Sequence, residues 1–281
     1  MDRRAALQLL LGSAAALAQD APDYVCPMDP DVRSPKPGAC SRCGMKLVLG
    51  IPDGLEYPLE LTTNPRALRA GEKVEMVFRV MDPKSGKLVT KFEIVHDKLF
   101  HLFIVSQDLQ HFAHVHPVLD AGSVFRFSWT FPKPGLYRIL GDFYPSGATP
   151  QLIARTLIVP GGQLAVPKLA PELGPSHCEN MDVELAMEPA QPLAGQKTLL
   201  FFKLKPADGL EKYLAAWGHM LAASDDLIDM IHSHPFLADG GPQEQFNLIF
   251  PRARTYRIWV QFQRQGVVNT AAFNVPVTEL R

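Results

Sequence analysis

The chain has 281 residues, 47% of them hydrophobic, and carries a formal net charge of −1. That length is enough for two domains of ordinary size, and the near-neutral balance excludes a nucleic-acid-binding surface built on basic excess. The 25 prolines and 16 phenylalanines suit many short strands punctuated by turns better than long helices.

The chain opens with MDRRAALQLLLGSAAALAQD. Arg3 and Arg4 are a basic start, Ala5 to Leu17 is an apolar run too short to span a bilayer, and Ala16-Leu17-Ala18 is a small-residue cleavage site. This order predicts a signal peptide over residues 1–18 and a mature protein that is periplasmic or secreted. A buried N-terminal helix is the competing reading, and the Arg pair leaves twin-arginine export open. No other stretch is long enough to cross a membrane, so the chain is not expected to span one.

Residues 22–50 are rich in Cys, Met, Pro and Gly and show no regular period; so small a segment needs a staple. Cys40 and Cys43, in a C-x-x-C spacing, place two sulfurs within reach of one ion, and Cys26 supplies a third. Three thiolates form most of a tetrahedral soft-metal site. Met28 and Met45 are also available. Oxidation is the alternative for an exported chain, through Cys40–Cys43 or a bond to Cys178.

This run, YVCPMDPDVRSPKPGACSRCGMKLV, resembles the small heavy-metal-binding module found beside copper- and silver-transporting ATPases and efflux adaptor proteins. The pattern is Y-x-C-P-M-H-P, then P-G-x-C-x-x-C-G-M-x-L. Tyr24, Cys26, Pro27, Met28 and Pro30 match its first half; Pro37, Gly38, Cys40, Cys43, Gly44, Met45 and Leu47 match its second. The resemblance implies metal binding through Cys26, Cys40 and Cys43. The family's histidine is Asp29 here, which leaves the fourth ligand to Asp29, Met28 or water.

Residues 57–160 read as all-β. Lys73 to Val80 and Ser123 to Trp129 alternate polar and apolar side chains, and Leu99 to Val105 is mostly apolar. Residues 161–180 are a Pro/Gly-rich connector, and residues 181–281 form a second all-β segment. The two segments are copies of one unit. HLFIVSQDLQHFAHVHP, from His101, aligns without gaps on HMLAASDDLIDMIHSHP, from His219. The expected architecture is two tandem Ig-like or cupredoxin-like β-sandwiches preceded by the Cys-rich module. The repeats are also similar to uncharacterised exported bacterial domains with H-L-x-V-S-x-D-L-x-x-F-x-H-x-H-P and a later Y-x-x-x-x-D-F. The second copy departs from that pattern, with Gln261 where the first has Asp142.

Each copy contains H-x12-H-x-H-P: His101, His114 and His116, then His219, His232 and His234. Alternate residues of a strand share a face, so the last two imidazoles of each triad point the same way. The Ser-x-Asp-Leu between suits a turn, and a hairpin would bring the first imidazole to the other two. Such a cluster suits Cu or Zn; a rim of rings bonded to carbonyls is the alternative. Met220 and Met230 add thioethers near the second triad, although a Met on an apolar strand is more often core.

The expected function is an exported heavy-metal-binding protein, most readily for copper as Cu(I), with Zn as the other candidate. It would sequester the ion or deliver it to an efflux transporter or adaptor without catalysis. A copper- or zinc-dependent enzyme and an adhesion scaffold of paired sandwiches are the alternatives. No Ser-His-Asp elbow, H-E-x-x-H or phosphate loop stands in the sequence.

Overall fold

The structure, a computed structural model, describes residues 24–26, 32–42, 44–49, 54–162, 168–236 and 239–279. The signal-peptide reading and the expected ligands Met28, Asp29 and Cys43 lie outside the described residues.

Regular structure in the described residues is β throughout. In the first domain, Lys73–Val80 turns Val74, Met76, Phe78 and Val80 inward, as period-2 patterning requires. It pairs with Leu59–Asn64 on one side and Phe125–Thr130 on the other. The facing sheet runs in the order Gln151–Val159, Gly135–Phe143, Phe100–Ser106, Phe112–Val115, all antiparallel. Between the sheets lies a core rich in Phe, with Phe100 stacked on Phe143 at 5.3 Å between centroids. Gly141 makes that packing feasible: a Cβ there would come within 2.6 Å of the Phe100 ring and 2.9 Å of Leu59.

The second domain repeats this plan. Asp182–Glu188, Lys197–Lys205 and Gln243–Ile249 form one sheet. The other runs Val267–Pro276, Thr255–Arg264, His219–Ser224, Met230–Ser233. The segment read as a connector lies along this domain: Ser176–His177 pairs with the start of Asp182–Glu188, and Glu172 exchanges backbone hydrogen bonds with Asn274.

The two central strands, Phe100–Ser106 and His219–Ser224, are buried along their whole length. Phe100, Leu102 and Ile104 face the core of their own domain. Phe103 and Val105 face the other way and join Leu140, Leu221, Ala223 and Trp259 in a third hydrophobic cluster. The domains therefore pack inner sheet against inner sheet. Phe112 of the first stacks on Trp259 of the second, 4.9 Å apart and 9° from parallel.

The Cys-rich module is a three-stranded sheet of two-residue strands, ordered Arg33–Ser34, Tyr24–Val25, Val48–Leu49. Its interior is Cys26, Cys40 and Leu47. Met45 docks it on Val95 and Tyr144 of the first domain, and the Arg42 guanidinium lies 4.3 Å from the centre of the Phe236 ring of the second. Among the described residues, no helix is long and apolar enough to cross a membrane.

Candidate metal centre

The hairpins form as the spacing predicts. In the first copy, Phe100–Ser106 pairs with Phe112–Val115, with Phe103 opposite His114. In the second, Leu221 stands opposite His232. Both turns are closed by the same side-chain bond: Ser106 Oγ donates to Asp108 Oδ1 at 2.5 Å, and Ser224 Oγ to Asp226 Oδ1 at 2.6 Å. Asp108 and Asp226 are thus turn residues. Leu109 and Leu227 adopt positive φ at 58° and 56°, so the two turns share one backbone shape.

Each triad converges. Within each of the two groups, His101, His114, His116 and His219, His232, His234, one ring nitrogen per residue lies within 4.8 Å of the others. The hydrogen bonds fix which nitrogens those are. A backbone carbonyl only accepts, so His101 Nε2, 2.9 Å from Val95 O, must carry its proton. With the Gln261 amide nitrogen donating to Thr270 Oγ1, the Gln261 Oε1 faces His114 Nδ1 at 2.8 Å and accepts from it. The remaining nitrogens, His101 Nδ1 and His114 Nε2, are lone pairs, and they face each other at 3.0 Å.

The second triad repeats the arrangement with different partners. His219 Nε2 donates to Tyr213 O at 2.8 Å, and its Nδ1 faces His234 Nε2 at 3.0 Å. His232 Nδ1 donates to Asp142 Oδ2 at 2.5 Å, leaving Nε2 outside that bond. That atom is buried and without a hydrogen-bond partner, as are His116 Nε2 and His234 Nδ1.

Burial keeps the rings of the first triad neutral. It lowers His101 to about 4, His114 to about 2 and His116 to about 3 against a histidine's ordinary 6.5, with neighbouring imidazoles adding to the effect. Burial pushes His219 and His234 well down too. Burial alone would raise Asp142; the hydrogen bond from His232 leads the effects that outweigh it and hold the carboxyl below its ordinary range.

The triads are neighbours. Across the domain seam, ring centroids of His114 and His219 are 5.5 Å apart, and those of His101 and His232 5.9 Å. Phe103 floors the group, stacked on His114 at 4.4 Å and edge-on to His232 at 4.7 Å. A cleft of about 730 Å³ opens beside the second triad, lined by His232 and His234, by His96, and by Cys40 and Met45 of the module. In the module, Cys40 N–H donates to Met45 O, Gly44 N–H returns to Cys40 O, and Arg42 N–H lies 3.4 Å from Cys40 Sγ. Gly44 takes a φ of 75°, which the tight return of the chain to Cys40 requires.

Residues 53–158 and 176–279 each match the family model described as a domain of unknown function, DUF8832. The chain belongs to the DUF8832 family. Residues 24–48 match the heavy metal binding domain, so a DUF8832 pair is joined here to a metal-binding module. No curated protein matches the chain. Among solved structures, a crystal structure of a Salmonella alpha-2-macroglobulin mutant aligns at 12% identity, with a TM-score of 0.24, over 82% of this chain. The chain spans only 15% of that structure's length, and so weak a likeness says nothing about function.

Sequence reasoning treats each DUF8832 copy as holding its own triad; the structure joins them. Asp142 and Gln261 stand at matching positions of the repeat, and each supports a histidine of the opposite copy. The signal was the Phe100–Ser106 run, apolar on both faces: such a strand needs a second layer over it. His96 also reaches across, its ring 3.8 Å from that of His234. His111 lies instead against Trp129 and Tyr137. Met220 is in the core of the second domain and Met230 packs in the apolar part of the seam, so both thioethers are packing residues. Cys178 packs against the second core while His177 turns to Asp182, and the two make no shared site.

Proposed function

We propose that this protein is an exported heavy-metal-binding protein, with copper as its principal cargo, that sequesters the ion or passes it to efflux machinery without catalysis. The observation that carries the reading is the His101–His114 pair. Two neutral rings, each with its N–H committed elsewhere, aim lone pairs at each other across 3.0 Å. Two acceptors cannot hydrogen-bond, and burial opposes protonating either. A cation between them relieves the conflict. At metal–nitrogen bonds of about 2.0–2.1 Å, two tetrahedral ligands of one ion stand about 3.3–3.4 Å apart, so the 3.0 Å pair has only to open slightly to hold one. The buried Nε2 of His116 completes the set, as the Nε2 of His232 does for the second triad.

Copper suits the pairing of site types. Cys26 and Cys40, with Cys43, Met28, Asp29 and Met45 as further candidate ligands, offer a soft environment that favours Cu(I). Imidazole clusters accept copper or zinc. The cleft beside the second triad, lined by both Cys40 and His234, supports passage of an ion between them. Metal analysis of the reconstituted mature protein tests the reading: bound copper that falls in Cys40→Ser and falls further in His114→Ala supports it, and a metal-free wild type rejects it.

A metal-dependent enzyme is the second reading, favoured by one feature. Three imidazoles leave a coordination position open, as catalytic zinc sites do, and a cleft of about 730 Å³ adjoins one of them. Turnover of any substrate that disappears in His116→Ala with the protein still folded would establish it.

A further inference from the structure

We infer that the six histidines form one two-ion centre shared between the domains, with unequal halves, the second triad filling before the first. This inference rests on the metal-binding reading above. Its own basis is the seam. Rings of opposite triads come nearly as close as rings of the same triad: His114 and His219 are 5.5 Å apart and His101 and His232 5.9 Å, against 4.5 to 6.1 Å within the triads. No backbone layer separates the triads, because His101, His114, His219 and His232 all project from the two inner sheets into the same space.

The inequality comes from the residues behind the ligands. His232 is oriented by a buried carboxylate, Asp142, and His114 by a neutral amide, Gln261. A carboxylate on the outer N–H makes an imidazole a stronger donor and supplies negative charge close to the cation. The second triad also carries His96, whose ring packs at a tilt against His234 from the other domain, 3.8 Å between centroids. At the position of His96 in the second copy stands Leu214, so the first triad has no counterpart to it. Two cations held this close repel each other, and only one carboxylate compensates them. Filling is therefore stepwise, with the carboxylate-backed triad first.

Each domain supplies an orienting partner to the other domain's triad. Loading either half consequently favours the packed arrangement of the seam, and the two half-sites are linked through it.

Electron paramagnetic resonance on the full chain, in a Cys40→Ser background that silences the module, tests this with Cu(II) alone. One equivalent is expected to give an isolated Cu(II) spectrum with nitrogen hyperfine structure. Two equivalents are expected to give a spectrum broadened by spin–spin coupling, with a half-field signal. His116→Ala should lose the second equivalent and the coupled signal while keeping the first. His234→Ala should disturb the first equivalent, and near-ultraviolet circular dichroism checks that both variants keep the native packing. Saturation at one equivalent, or two equivalents that remain magnetically isolated, would overturn the shared centre and leave the metal-binding reading standing. Binding of no copper in this background would overturn the shared centre and the imidazole sites of the metal-binding reading together, and copper bound by the chain with Cys40 intact would then belong to the module alone.

Discussion

His232 Nδ1 donates to Asp142 Oδ2 at 2.5 Å, although the two residues belong to different copies of the repeat. Both side chains are nearly sealed from solvent, at 3% and 11% exposure. This bond does three things at once: it commits Nδ1 of His232 as a donor, aims Nε2 into the triad and ties one domain to the other. Asp142→Asn keeps the shape and removes the charge. It is expected to weaken divalent metal binding at the second triad about 10- to 100-fold, the range typical of lost outer partners. Gln261→Glu should have the opposite effect on the first triad. Competition titration with a chromophoric chelator reads both.

The seam should also set stability. Trp259 is buried at the junction and stacked on Phe112. Trp259→Ala is expected to cost about 3–5 kcal/mol and to split one calorimetric transition into two, as the domains lose the face that couples them. A single transition at an unchanged temperature would show that the domains do not depend on each other.

Acid should destabilise the metal-free protein well before carboxylates titrate. His101, His114 and His116 are lowered to about 4, 2 and 3, while in the unfolded chain they take protons near 6.5. As pH falls through 6.5 the unfolded state binds protons that the native state refuses, so stability is full above that value and declines toward pH 4. The slope is on the order of 1.4 kcal/mol per pH unit for each such histidine. Denaturant titrations between pH 7.5 and 4.5 measure it, and bound metal should flatten the upper part of the curve.

Glu244 gives the opposite slope. Its carboxyl is buried in the second domain, and burial, with Asp239 nearby, pushes it up to about 8. A folded value above the unfolded one of 4.5 means that the native state holds a proton the unfolded chain releases. Stability contributed by this group is present at low pH and is lost as pH rises from 4.5 to 8. Glu244→Gln should raise the melting temperature at pH 8 and leave it nearly unchanged at pH 4.5.

Much of this was legible in the chain. Period-2 alternation at Lys73–Val80 announced a sandwich strand, and the shared H-x12-H-x-H-P spacing announced two hairpins carrying matched imidazoles. What a single strand's pattern could not give was the partner of its second face. Phe103 and Val105 are as apolar as Leu102 and Ile104, but periodicity does not say that they meet Leu221 and Trp259 of the other copy. For the same reason Asp142 and Gln261 looked like a divergence between repeats. They are the two residues through which each domain orients the other's ligands, a relationship that requires the pseudo-symmetric packing and has no local signature. His96 was visible only as a neighbour in sequence; a left-handed turn at φ 46° carries it across the seam to His234.

The central claim is that imidazole nitrogens of these triads ligate metal directly. X-ray absorption at the zinc edge tests it most directly, using Zn(II)-loaded protein that carries Cys40→Ser so that the module does not contribute. The expected result is a shell of nitrogen at about 2.0–2.1 Å with the outer scattering pattern of imidazole, lost when His114 and His232 are both replaced by Ala. Zinc surrounded only by oxygen, or a spectrum unchanged by that double replacement, would contradict the account.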